Sequence, residues 1–137
     1  MSSRHRAREY VLKALYAYEV ESRMDEDVFA GVTERSGLDE NDLAFARALY
    51  DCVVNNLKDI DLYIQQLATN WNLERIAVVD KNILRIAIGE AEFMPDIPIK
   101  VAINEAIELA KRYSTMESAS FVNGILDRVL REREPEE

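Results

Sequence analysis

Ile97 to Leu130 reads IPIKVAINEAIELAKRYSTMESASFVNGILDRVL, and its apolar spacing decides the fold class. Pro98 suits the first turn of a helix, because its φ is preset and its missing N–H has no partner to lose there. From that point Ile99, Ala102, Ile103, Ala106, Ile107, Ala110 and Tyr113 recur at helical spacing, with Lys100, Asn104, Glu108, Lys111 and Arg112 on the opposite side. Ser114-Thr115-Met116-Glu117 supplies a stop and then a capping box, with Ser114 or Thr115 as N-cap and Glu117 near the third position. A second helix follows, with Phe121, Val122, Ile125, Leu126 and Val129 facing inward. The small alanines of the first helix and Gly124 of the second predict a close crossing, since a mid-helix glycine otherwise costs about 1 kcal/mol against alanine.

The same periodicity extends outward in both directions. A first helix is expected from Ser3, its N-cap, to about Ser22, burying Ala7, Val11, Ala14, Leu15 and Tyr18. Met24 to Asp27 breaks it and starts a second carrying Val28, Phe29 and Val32, which Ser36-Gly37 ends. Asp39 caps a third helix with Leu43, Ala46, Leu49, Tyr50, Val53 and Val54 in its stripe, and a fourth carries Ile60, Tyr63, Ile64 and Leu67. Asn70-Trp71-Asn72 marks a joint between two half-domains, about residues 1–70 and 71–131. Beyond it come a short turn at Glu74–Ala77 and a longer helix starting at Asp80, apolar on most sides and so central. Residues 132–137 read as a charged, disordered tail. The expected fold is all-α, about seven helices in two small bundles packed into one domain.

Composition narrows the function. The chain has 137 residues, 48% of them hydrophobic, with only four glycines and three prolines, which favours one compact helical domain over disorder. No apolar run approaches a membrane span, and no signal peptide is evident, so a cytoplasmic protein is expected. Cys52 is the sole cysteine and His5 the sole histidine, so a disulfide, a Cys/His metal site and a Ser-His or Cys-His nucleophile pair are not expected. Glycine-rich phosphate loops are absent as well, and the expectation is a protein that is no enzyme and carries no cofactor. The net charge is −9, against the basic habit of nucleic-acid-binding domains. Yet residues 1–13 hold Arg4, Arg6, Arg8 and Lys13 against Glu9 alone, a local +3, which leaves −12 on the remainder.

That arm is the strongest functional signal. Arginine's planar fork grips phosphate oxygens, and a helix N-terminus adds partial positive charge of its own. Arg4 and Arg8 lie one turn apart, and Leu12 and Tyr16 continue the row with a drift of roughly 40° per step. Tyr16 therefore falls at the border between core and arginine face. A solvated, frayed terminus is the competing reading of the arginines, and ordinary core packing that of Tyr16 and Phe121.

VAINEAIELAK followed by FVNGILD, with LRIAIGE upstream and RHRAREYVLKALYAYE at the amino terminus, resembles the NusB family of bacterial transcription antitermination factors. The resemblance spans about Arg4 to Asp127. It implies an all-α protein that binds boxA RNA of rRNA leader transcripts together with NusE, a basic small-subunit ribosomal protein, in an antitermination complex on RNA polymerase. The arginine motif would be Arg4, His5, Arg6 and Arg8, with His5 where family members often have arginine. Tyr16 and Phe121 would stack on bases, Lys111 and Arg112 would extend the basic track, and Glu117 would tune RNA affinity. Glu74, Asp80 and Glu90 would form the NusE-facing side, while Asn104 and Asn123 are read as structural amides. Family members differ in dimerisation, which leaves a homodimer open. Two other readings remain: the helical RNA-binding domain that precedes an rRNA cytosine methyltransferase, which the absence of a cofactor domain disfavours, and an acidic adaptor that binds only protein.

Overall fold

A computed structural model describes residues 3–21, 27–68 and 72–133. Among them are seven α-helices: α1 (Ser3–Glu21), α2 (Val28–Thr33), α3 (Glu40–Asn55), α4 (Leu57–Leu67), α5 (Val78–Phe93), α6 (Ile99–Tyr113) and α7 (Met116–Arg133). A 3₁₀ turn at Leu73–Arg75 precedes α5. The breaker at Met24–Glu26 and the joint at Asn70-Trp71 lie outside the described residues.

Local chemistry explains most boundaries. Asp27 Oδ1 accepts from the Ala30 N–H at 3.1 Å and Asp39 Oδ1 from the Asp42 N–H at 2.8 Å, capping α2 and α3. Gly37, at φ +73°, turns the chain between them in a conformation costly for any residue with a Cβ. Pro98 is the N-cap of α6 rather than its first helical residue. Thr115 Oγ1 accepts from the Ser118 N–H at 3.1 Å, so Thr115 caps α7, Ser118 holds the third position and Glu117 the second. The reciprocal half of a capping box is therefore not built.

Packing sets α5 at the centre. It lies between α1 and α3 on one side and α6 and α7 on the other, with α4 against it as well, while α1 packs chiefly on α2 and α3. Residues 82–90 of α5 are buried without exception. Gly89 is what lets α3 come so near: a Cβ built there would stand 2.9 Å from Val53 Cγ2. Charged and amide groups lie in this core too, each partnered. Arg85 donates to both Asp61 oxygens at 2.8 Å, to Glu19 at 2.6 Å and to Asn82 Oδ1 at 2.9 Å.

Three expectations fail. Gly124 is exposed, with nothing within 4 Å of a Cβ built there, so it permits no helix crossing. Asn104 and Asn123 are exposed on α6 and α7 rather than capping buried backbone. The tail does not begin at residue 132: α7 continues through Arg133, where Tyr63 donates to Glu132 at 2.9 Å and Arg133 pairs with Glu92 of α5.

Candidate nucleic-acid interface

The arginine arm divides by depth once it folds. Arg4 and Arg6 are exposed, whereas Arg8 is only 2% exposed. Arg8 Nε and Nη2 donate to the two oxygens of Glu90 at 2.6 and 2.8 Å, and Nη1 donates to Glu105 at 3.2 Å. Burial opposes the Arg8 charge, but the hydrogen bonds and charges of Glu90 and Glu105 outweigh it and hold the guanidinium above its ordinary pKa. Two expectations are thereby corrected. Arg8 spends its fork on an internal carboxylate and offers no phosphate contact. Glu90, fully buried against it, offers no surface to a partner.

The exposed cations have defined supports. The Arg4 guanidinium lies 4.5 Å from the centre of the Phe45 ring of α3, with Arg8 at 5.0 Å from the same ring. Arg6 donates to the Ser36 carbonyl at 2.7 Å. His5 is half-buried, its Nδ1 3.2 Å from Glu105. One side of α1 carries a stripe that sequence reasoning missed: the Tyr10 ring stands between Arg6 at 5.9 Å and Lys13 at 4.6 Å. The spacing i, i+4, i+7 was its only sequence signal.

The C-terminal end of α6 joins this surface through Glu9. One oxygen of Glu9 accepts from Tyr113 at 3.0 Å and faces Arg112 Nε at 3.1 Å, although the Arg112 side chain remains 65% exposed. Lys111 is exposed, with Glu108 at 3.5 Å. Tyr16, 44% exposed, shares its side of α1 with Glu9 seven residues earlier, about two helical turns from the contact with that end of α6.

Just past that end lies a cavity of about 370 Å³ between the 3₁₀ turn, the start of α5 and the start of α7. Phe121, half-buried, forms part of its wall, and Arg75 and Glu117 stand at its exposed rim. Asp80 also lines it, only 3% exposed and bonded by the Ser114 hydroxyl. Asp80 was expected on the partner-facing side, and its burial there corrects that: it sits beneath the region of Phe121 and Glu117. Of the three residues assigned to a partner, Glu74 alone is exposed.

Such a site is a cationic and aromatic surface on an all-α, two-bundle domain, suited to holding a polyanion that carries flat rings. Comparison with known proteins gives that class a family. The NusB family profile matches residues 5–131. The chain is 45% identical to the transcription antitermination protein NusB of Desulforudis audaxviator, over 98% of this chain and 96% of that one. It is 46% identical to the NusB of Chloroherpeton thalassium over 91% of this chain, and spans 60% of that longer relative. The solved NusB of T. maritima superposes with a TM-score of 0.83 at 43% identity, covering 98% of this chain and 95% of that one. A structure of NusB and NusE in complex with dsRNA shares the fold, with a TM-score of 0.86 at 23% identity over 96% and 98% of the two chains. The chain belongs to the NusB family.

Proposed function

We propose that this protein is a transcription antitermination factor that binds boxA-type RNA together with NusE, as part of a complex on elongating RNA polymerase. The observation that carries the reading is the continuity of the Arg6–Tyr10–Lys13 stripe with Arg112 and Lys111 through Glu9, ending at the cavity that holds Phe121. The cations, with Arg4, grip phosphates, while Tyr16 and Phe121 present rings to unpaired bases. His5 and Glu117 flank this track and modulate it. Its role is to hold RNA without catalysing a reaction, in the cytoplasm. Consistent with that, His5 is engaged by Glu105, and burial raises the Cys52 thiol above its usual pKa, which makes it a poor nucleophile.

Titration of a boxA-type single strand across a range of salt tests the reading. Replacing Arg4, Arg6 and Lys13 by alanine is expected to weaken binding and to flatten the log–log salt slope by roughly 0.7 for each phosphate the protein no longer grips. An unchanged slope would assign the arm to structure and return the protein-only adaptor.

A further inference from the structure

We propose that the groove between α2 and α3 receives a basic amphipathic helix of a protein partner other than NusE. The proposal adds a docking surface and stands independently of the RNA-binding reading above. α2 packs on α1 far more than on α3, which leaves an open groove of about 560 Å³ between α2 and α3. Phe29 and Thr33, both buried, form its floor, and the exposed Ala30, Leu43 and Ala44 form its walls. The Thr33 hydroxyl already donates to the Phe29 carbonyl at 2.9 Å, so what the floor offers an occupant is chiefly apolar surface. Leu43, 37% exposed, is the largest apolar side chain of the walls, with Glu40 and Arg47 about one turn away on either side. Alanines on both walls let another backbone come close, and a helix laid along two others buries this kind of surface.

The rim decides the charge of that helix. Glu34 and Glu40 stand exposed along it, and neither has an ion pair among the described residues. Arg47, the one cation among the lining residues, lies 5.0 Å from the centre of the Phe29 ring. Its charge is already taken up, by Asp27 at 2.9 and 3.0 Å and by Asp51 at 3.1 Å. One cation against four carboxylates leaves the groove with a net −3. That surplus repels phosphate, so RNA stays out of the groove although Arg6 reaches the Ser36 carbonyl between its two helices. A fitting occupant is apolar on one side and edged with lysine or arginine on both flanks. A second copy of this chain brings a net −9 and is disfavoured by the same repulsion. Glu74, the residue assigned to NusE, stands on the 3₁₀ turn before α5, which takes no part in the groove.

The probe is an amidated peptide of about five helical turns, with leucine on one face and lysine on the other. Titrated into the full chain, it should shift the backbone amides of Ala30, Leu43 and Ala44. A peptide of the same composition in scrambled order, which has no apolar face, should bind about tenfold weaker or worse by fluorescence anisotropy. That comparison uses the unaltered protein and holds however the variants behave. Leu43→Gln should weaken the ordered peptide about tenfold and leave the affinities for RNA and NusE at the parent's values. Glu34→Gln with Glu40→Gln should weaken the peptide by roughly two- to thirty-fold. Equal binding of the two peptides, or shifts spread over the whole acidic body, would mean charge attraction alone and overturn the proposal. Self-association of the parent in sedimentation, abolished by Leu43→Gln, would give the groove to a second copy and overturn it. Loss of NusE or RNA affinity in Leu43→Gln would give the groove to that ligand and overturn it as well. Failure of the parent to bind RNA would overturn the function proposed above and leave the groove standing.

Discussion

Arg8 and Glu90 form a buried ion pair that is costly to break from one side. Removing the cation leaves an uncompensated carboxylate in the core, so Arg8→Ala is expected to lower stability by about 3–5 kcal/mol in a denaturant melt. Arg6→Ala, two residues earlier and on an exposed side, should cost under about 1 kcal/mol while weakening RNA binding. Replacing Arg8 and Glu90 together by apolar residues should restore most of what the single change loses. Two glycines divide in the same manner. Gly89→Ala places a methyl 2.9 Å from the fully buried Val53 side chain and should cost roughly 1–3 kcal/mol. Gly124→Ala meets open space in the middle of α7 and should gain roughly 0.5–1 kcal/mol in a thermal melt. The sequence marked Gly124 as a packing glycine because a glycine inside a helix is costly unless a close neighbour requires it; what stands opposite a helical position is not written in that helix.

Between helices, Tyr50 of α3 ties α1 to α2. Its ring meets Tyr18 edge-on at 6.5 Å and Phe29 at 5.3 Å. Burial, with the nearby Tyr18 and Asp27, pushes its pKa up to about 12. The unfolded chain releases this proton near pH 10 and the folded one near pH 12. The stabilisation is thus fully present below pH 10 and is lost as pH rises through that window. Alkaline melts should show a loss on the order of 2 kcal/mol across it, and Tyr50→Phe should remove that part. The aspartate cap of α3 and the apolar runs of α5 and α6 were legible because each depends on residues a few places apart. The continuation of α7 through Arg133 was not, since it is held by Tyr63 of α4 and Glu92 of α5, some 40 to 70 positions away in the chain.

At the scale of the whole molecule, phosphates nearing α1 approach a body of net charge −12 beyond residue 13, screened beyond roughly 8 Å at physiological salt. RNA binding by this protein alone should be modest. A basic partner on the acidic body would lower that repulsion, so NusE should raise the affinity for RNA, and RNA should raise the affinity for NusE by the same factor. Paired RNA titrations, into the protein alone and into protein saturated with NusE, check this at matched salt. Equal affinities would mean that the acidic surface serves another purpose. Charge reversal at Glu74, the exposed member of the three acidic residues assigned to this side, should reduce the enhancement if NusE docks there. An undiminished enhancement would move the docking place elsewhere on the body.

The sequence by itself determined the all-α class, the central place of the fifth helix, and the concentration of arginines at the amino terminus. These follow from periodicity, capping and composition, which act over a turn or two of helix. Only the tertiary structure decided which charges remain in water. Arg4 and Arg8 are a single turn apart on α1, yet α5 brings Glu90 up to Arg8, while Arg4 lies over Phe45 on the exposed side. Asp80 and Glu90 likewise read as a surface pair until α1, α6 and α7 close over their helix. Whether a charged side chain faces solvent depends on what packs against it, and those neighbours come from distant parts of the chain.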